Sequence, residues 1–465
     1  LWGRWPRGPE GVFPVSNDPE RDRLSGRLAR FAKVGAGLSG AAVSYGANRV
    51  FAGDEAGARN AKALKAALGN LKGPLMKAAQ MFATVPDLLP PEFAKELAEL
   101  QTNAPAMGWP FVRRRMAAEL GPDWASRFTS FEHEAAAAAS LGQVHRAVAP
   151  DGRALAVKLQ YPDMQSAVES DLGQLRAVIG LFKRMDGSID PTQMIEEVGD
   201  RLREELDYDR EARMMAVYGG FFAGRDDIRT PLPVPELSTK RLLSMTWLDG
   251  QGLMAFKSAP QETRDRIAAL LFEAWWGPMT HIGVIHGDPH LGNYTFGGGE
   301  DGAAHLNLLD FGCIRVFPPH FVGGVVRLYR ALSEDDRAGQ VEAYRSWGFS
   351  NLTDELVDVL NVWARFIYGP LLDDRVRTVA DDVPPGEYGR REAFKVRQAL
   401  KSVGGIVIPR EFVFMDRAAI GLGAAFLHRG ARHNWRALFE ASLEGFSEEG
   451  LAERQKAVLG AAGIA

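Results

Sequence analysis

Cysteine is nearly absent from this chain of 465 residues: Cys313 is the single one. No internal disulfide can form, and such usage suits a reducing compartment. Long apolar runs are missing too. No stretch of about 20 apolar residues free of charge occurs, so the sequence offers no membrane-spanning helix of ordinary length. An excess of basic charge is also lacking. The formal net charge is −4, which provides no positive field and excludes nucleic acid as an expected partner. What remains is an ordinary globular composition, 46% hydrophobic and 25% charged, on a chain long enough for several domain-sized units. The chain starts at Leu1 rather than Met, which reads as a processed or truncated form. The expected setting is the cytoplasm or the matrix side of an organelle, with membrane contact of a peripheral kind.

Residues 1–59 read as an extended arm followed by a small-residue helix suited to close packing or to a membrane surface. They contain Gly35-Ala36-Gly37-Leu38-Ser39-Gly40, formally a dinucleotide fingerprint. That motif needs an apolar strand before it and an acidic residue about 20 positions on; here the preceding stretch is basic and helical, so the match is a decoy. Residues 60–130 read as a helical extension containing Lys77 and Gln80, three apart and therefore on one helix face.

The chain is organised around Val284 to Arg315, which holds His286-Gly287-Asp288-Pro289-His290-Leu291-Gly292-Asn293 and, a strand later, Asp310-Phe311-Gly312. Phosphoryl transfer from a nucleotide asks for a carboxylate to orient the attacking hydroxyl, plus an amide oxygen and a second carboxylate to hold Mg²⁺ on the phosphates. Asp288, Asn293 and Asp310 fit these roles in the right order and spacing. The bland alternative, a turn shaped by Asp288 and Asn293, accounts for any one piece but not for the set. Transition-metal ligation by His286, Asp288 and His290 lacks further Cys or His to complete it, and hard oxygen donors favour Mg²⁺.

Two further stretches belong to the same reading. Residues 131–250 contain strand-like arms around Pro150-Asp151-Gly152, a hairpin turn. Lys158 is the one charge in an apolar strand, costly there unless paired or reaching phosphate. Before that hairpin, Ala136, Ala137, Ala138, Ala139 and Ser140 stand where a glycine-rich phosphate cover is usual. Residues Pro191 to Phe222 read as one long charged helix, with Glu211 as the partner of Lys158 and Asp207 on its face. Arg241 to Leu248, followed by Asp249-Gly250, reads as a strand and a hinge turn whose backbone would hydrogen-bond an adenine. The rest, 251–465, is expected to be mostly helical, with Gln261 to His281 carrying the Asp288 loop. No Ala-Pro-Glu segment follows Gly312, so a peptide-docking segment is expected to be short or absent.

Together Lys77-Ala78-Ala79-Gln80, the alanine-rich Ala135 to His145, Val157 to Pro162, Glu205-Leu206-Asp207-Tyr208, the His286 to Asn293 loop and Asp310-Phe311-Gly312 resemble the UbiB-type family. These are the aarF-domain atypical kinase-like proteins linked to coenzyme Q metabolism. The resemblance implies an α+β, bilobal protein-kinase-like fold with an N-terminal helical extension over the active site and a mostly helical C-terminal lobe. It implies ATP or ADP and Mg²⁺ as cofactors, nucleotide binding by the alanine-rich loop, and pairing of Lys158 with Glu211. It further implies that Lys77 and Gln80 meet Glu205 and Asp207 to block peptide access. Ala79 stands where the family has glycine, which bears on how closely that helix packs. Expected partners are the nucleotide, a lipid surface and quinone-biosynthesis proteins. The alternatives are a small-molecule phosphotransferase of the aminoglycoside or choline kinase type, and a nucleotide-gated lipid- or protein-binding pseudokinase.

Overall fold

The computed structural model describes residues 107–139, 141–169, 172–173, 192–287, 290–298, 304–379 and 430–464. Residues 1–59 and most of 60–130, with Lys77 and Gln80, lie outside them, as do Ser140 and Asp288. The described residues divide into two compact units, 107–209 with 233–247, and 210–232 with those from 248 on.

The first unit begins with α1 (Trp109–Leu120), with Pro110 in its first turn, where a missing N–H costs nothing. The helical reading of residues 60–130 carries this helix further. It ends instead at Gly121, which adopts φ 90° and donates its amide to the Ala117 carbonyl. The strands β1 (Ser130–Phe131), β2 (Ala137–Ala139), β3 (Gly142–Val148) and β4 (Ala154–Gln160) follow. β1 and β2 pair antiparallel with opposite ends of β3, and β3 pairs antiparallel with β4 around the Pro150-Asp151-Gly152 turn. Gly152 supplies the φ of 86° that this turn needs. Period two sends Leu155, Val157 and Leu159 of β4 into a core with Val112, Met116, Leu120, Trp124 and Phe128. Ala156, Lys158 and Gln160 therefore occupy the opposite face of the same strand.

The expected single helix from Pro191 to Phe222 is two: α2 (Thr192–Glu205) and α3 (Tyr208–Phe221). The break has a tertiary cause. Gln160 on β4 donates its side-chain amide to the Leu206 carbonyl at 2.6 Å, and the Tyr208 amide turns to the Lys240 carbonyl at 3.3 Å. These partners replace helical ones, so a charged run with continuous helix propensity still stops. Asp207 thus sits between the helices and not on one face with Glu211. β5 (Ile228–Arg229) belongs to the second unit, and β6 (Leu242–Thr246) returns to pair antiparallel with β4.

In the second unit β7 (Gln251–Gly252) precedes α4 (Gln261–Ile282), a helix buried on most sides through Ile267, Leu270, Leu271, Trp275 and Met279. Gly283, at φ 64°, ends it and turns the chain straight into β8 (Val284–His286). β9 (Tyr294–Gly297) and β10 (His305–Leu308) form a sheet ordered β5-β10-β9-β7, while β11 (Ile314–Val316) pairs antiparallel with β8. Among the described residues, helices α5 (Pro319–Ser333), α6 (Arg337–Ser346), α7 (Asp354–Tyr368), α8 (Trp435–Ser442) and α9 (Glu448–Ala461) follow. α9 caps the end of α4: Arg454 donates to the His281 carbonyl at 2.8 Å and Gln455 to that of Ile282 at 3.1 Å.

Candidate active site

In the second unit, β8 and β10 present their ends side by side. His286, 1% exposed, donates from Nε2 to the Asp310 carbonyl at 2.7 Å, a contact that places the proton on that nitrogen. The Leu309 amide bonds the Asn293 carbonyl at 3.0 Å, which ties the loop back to the residue before Asp310. His290 turns its Nδ1 onto the Gly292 amide at 3.1 Å, so it shapes the turn. The Asp310 carboxylate accepts the Gly312 amide at 2.9 Å, fixing its orientation. Phe311 is fully buried, edge-on to Tyr218 with ring centroids 5.5 Å apart, and burial pushes the Tyr218 phenol well above its ordinary value. Glu211, 1% exposed on α3, reaches the Phe311 amide in a long contact of 3.5 Å. Glu211, Asn293 and Asp310 are thus brought into one neighbourhood, and the donors Asn293 and Asp310 offer the hard oxygen chemistry that suits Mg²⁺ with phosphates. Asn307 on β10 donates to the Asp249 carbonyl at 3.0 Å, securing the segment read as a hinge.

In the first unit Ala137–Ala139, part of the stretch read as a nucleotide-binding loop, form the short strand β2. Val144 of β3 stands opposite Ala137 on one side and Lys158 on the other, which aligns the alanine strand with the lysine. Ala136, Ala137 and Ala138 are exposed, so backbone is open to approach there. Lys158 is buried, with Nζ 5.2 Å from the centre of the Tyr208 ring, a cation–π placement. Glu205 closes α2 and Asp207 precedes α3, two residues apart and both half-buried. Lys158 and Glu211 belong to different units.

Gln143 and His145 close the alanine-rich motif, and the sequence gives them no role of their own. Both are buried on one face of β3: Gln143 takes the Met107 amide on its oxygen at 2.5 Å and gives its own amide to His145 Nε2 at 2.8 Å. His145 Nδ1 meets the Glu132 carbonyl at 2.8 Å, and burial holds the ring below its ordinary pKa despite that carbonyl. Two polar residues at period two in a buried strand were the available signal. The 490 Å³ cleft between α5 and α8, lined by Tyr329, Arg330, Arg436 and Glu440, contains none of the residues singled out by sequence.

Residues 99–344 match the ABC1 atypical kinase-like domain, more than half of the chain. The chain is 31% identical over 346 residues to the mitochondrial atypical kinase coq-8 of Caenorhabditis elegans, covering 70% of this chain and 45% of that protein. It is 28% identical over 280 residues to the mitochondrial atypical kinase COQ8 of Saccharomyces cerevisiae, covering 60% and 55%. The chain spans about half the length of the curated relatives it matches. Among solved structures, Rv3197 of Mycobacterium tuberculosis in complex with erythromycin superposes with a TM-score of 0.56 at 25% identity, covering 82% of this chain and 95% of that one. The fold is accordingly α+β and kinase-like, and the chain belongs to the ABC1 (UbiB/AarF) atypical kinase family.

Proposed function

We propose that this chain is an Mg²⁺-dependent, ATP-binding atypical kinase or ATPase that supports isoprenoid-quinone synthesis or lipid homeostasis and does not phosphorylate proteins. The observation that carries the reading is the hydrogen-bonded set of His286, Asn293 and Asp310, which supports a Mg²⁺-nucleotide site by its donor chemistry. Asn293 and Asp310 would hold the metal, whose contribution is to neutralise charge on the phosphates. Asp288 orients the acceptor hydroxyl or water. Lys158 holds phosphate oxygens, and Ala136, Ala137, Ala138, Ala139 and Ser140 approach the nucleotide through backbone. Lys77, Gln80, Glu205 and Asp207 regulate access.

Against protein substrates stands the path after Asp310. Residues 313–318 run directly through β11 into α5, which supports a shortened peptide-docking segment. The quinone assignment rests on the family resemblance. A lipid-facing, organelle-matrix or cytoplasmic setting with peripheral membrane contact goes with it.

The test is ADP release by the purified chain with Mg²⁺, alone, with anionic lipid vesicles, and with soluble alcohols or erythromycin. Stimulation by vesicles supports the proposal. Stimulation by a soluble acceptor moves the reading to a small-molecule phosphotransferase, the direction in which the erythromycin complex of Rv3197 points. Binding without release in any arm moves it to a nucleotide-gated scaffold. The Lys158–Glu211 ion pair is part of the proposal. Lys158→Met and Glu211→Gln should each cut turnover about a hundredfold, and the double variant should be little worse than either. Additive losses would contradict the pairing.

A further inference from the structure

In loops of the protein-kinase type an arginine stands between the histidine and the aspartate. This chain has Gly287 there. A Cβ at Gly287 would lie 2.5 Å from the Cys313 carbonyl oxygen, so backbone excludes any side chain, and 3.2 Å from Cγ of Arg315. The place of the missing side chain is filled by another residue's stem, and that residue is an arginine.

Arg315 lies on β11, opposite Ile285 of β8, and is 6% exposed. Its Nη1 donates to the Ile314 carbonyl at 3.0 Å, and the same carbonyl accepts Nη2 of Arg210 from α3 at 3.1 Å. A buried guanidinium is costly unless it is engaged, and the Ile314 carbonyl engages this one. Where a long activation segment exists, kinases order it by pairing arginines with an added phosphate. Here β11 pairs with β8 immediately after Gly312, and the Phe317 amide closes on the Gly283 carbonyl at 2.8 Å.

We propose that Arg315 is a positioning residue: it brings from β11 a guanidinium stem to the place that a side chain at Gly287 would take, and holds His286 and Gly287 at the end of β8 in position without phosphorylation. The inference rests on the phosphoryl-transfer reading above for its functional consequence, while the placement of His286 and Gly287 can be judged separately. Arg315→Met, which keeps volume but not charge, is compared with Arg315→Lys, which keeps charge. In the Met variant kcat for ADP release should fall about tenfold or more with KM for Mg²⁺-ATP within about twofold, and Lys should recover a large part. Hydrogen exchange at the amides of Ile285, His286 and Gly287 should accelerate about tenfold in Met and stay slow in Lys, with melting still cooperative. Phosphatase treatment should leave turnover and exchange of the wild type unchanged.

Equal damage by Met and Lys, unchanged exchange at those amides in Met, or faster exchange there after phosphatase treatment would overturn the proposal. If Met does not fold, Arg315→Gln replaces it under the same criteria. A wild type that releases no ADP sinks the proposed function, and the exchange comparison still decides the role of Arg315.

Discussion

Gly142 shows how one residue sets the spacing beside the alanine strand. A Cβ there would sit 2.1 Å from the Leu159 carbonyl oxygen and 3.1 Å from the Tyr208 hydroxyl. The first of these is backbone and cannot swing aside. Gly142→Ala should therefore cost about 2 kcal/mol or more in denaturant unfolding, as overpacking does; a loss under about 0.5 kcal/mol would contradict the close approach. His145 gives a pH prediction. Its folded pKa lies below the ordinary 6.5, chiefly through burial, so below that value the unfolded chain binds a proton that the fold excludes. Stability is full above 6.5 and is lost as pH falls toward the folded value. Denaturant midpoints should drop as pH falls below 6.5, and His145→Asn should flatten the drop. Glu132 and His133 are the neighbouring titratable groups, and they act in opposite senses. Lys158 was legible because a charge in an apolar strand calls for a reason. Gln143, His145 and Arg315 carried the same signal, but polar residues near a turn or at a motif's end read as solvated until burial is known.

Among elements, spacing revealed the hairpin, the strand at β6 and the helix leading to His286, because each has its own period and punctuation. The break between α2 and α3 was not legible. Nothing in Glu204 to Glu211 opposes a helix; the interruption is imposed by Gln160 and Lys240, distant in sequence. Gln160→Leu leaves the Leu206 carbonyl without its 2.6 Å donor and should cost about 1–3 kcal/mol, the penalty of an unsatisfied buried group. Proteolysis near Leu206 should rise in step, and an unchanged cleavage rate would contradict this account of the break. Ala137–Ala139 form a strand through pairing with β3, which overrides alanine's helix preference. Gln455 performs an analogous task for α4, bonding the carbonyls of Ile282 at 3.1 Å and Phe317 at 2.9 Å. Gln455→Ala should lower stability by about 1–2 kcal/mol in thermal melts; no shift would mean that water substitutes for both bonds.

For the whole molecule, the order of motifs along the chain disclosed the α+β kinase-like class, since six motifs in sequence constrain a fold more than any single pattern. The division into units was harder to read. Its boundaries fall at 209/210, 232/233 and 247/248, so one unit is interrupted by a segment of the other, and composition does not change at those points. Among the described residues no helix is long and apolar enough to cross a membrane. The central claim is that Asn293 and Asp310 serve a Mg²⁺-nucleotide site. Its most direct test is ATP affinity measured by calorimetry with and without Mg²⁺, for the wild type and Asp310→Asn. The account predicts that Mg²⁺ tightens wild-type binding about tenfold or more and that the variant, equally folded, loses most of that gain. Equal Mg²⁺ dependence in both proteins would contradict it.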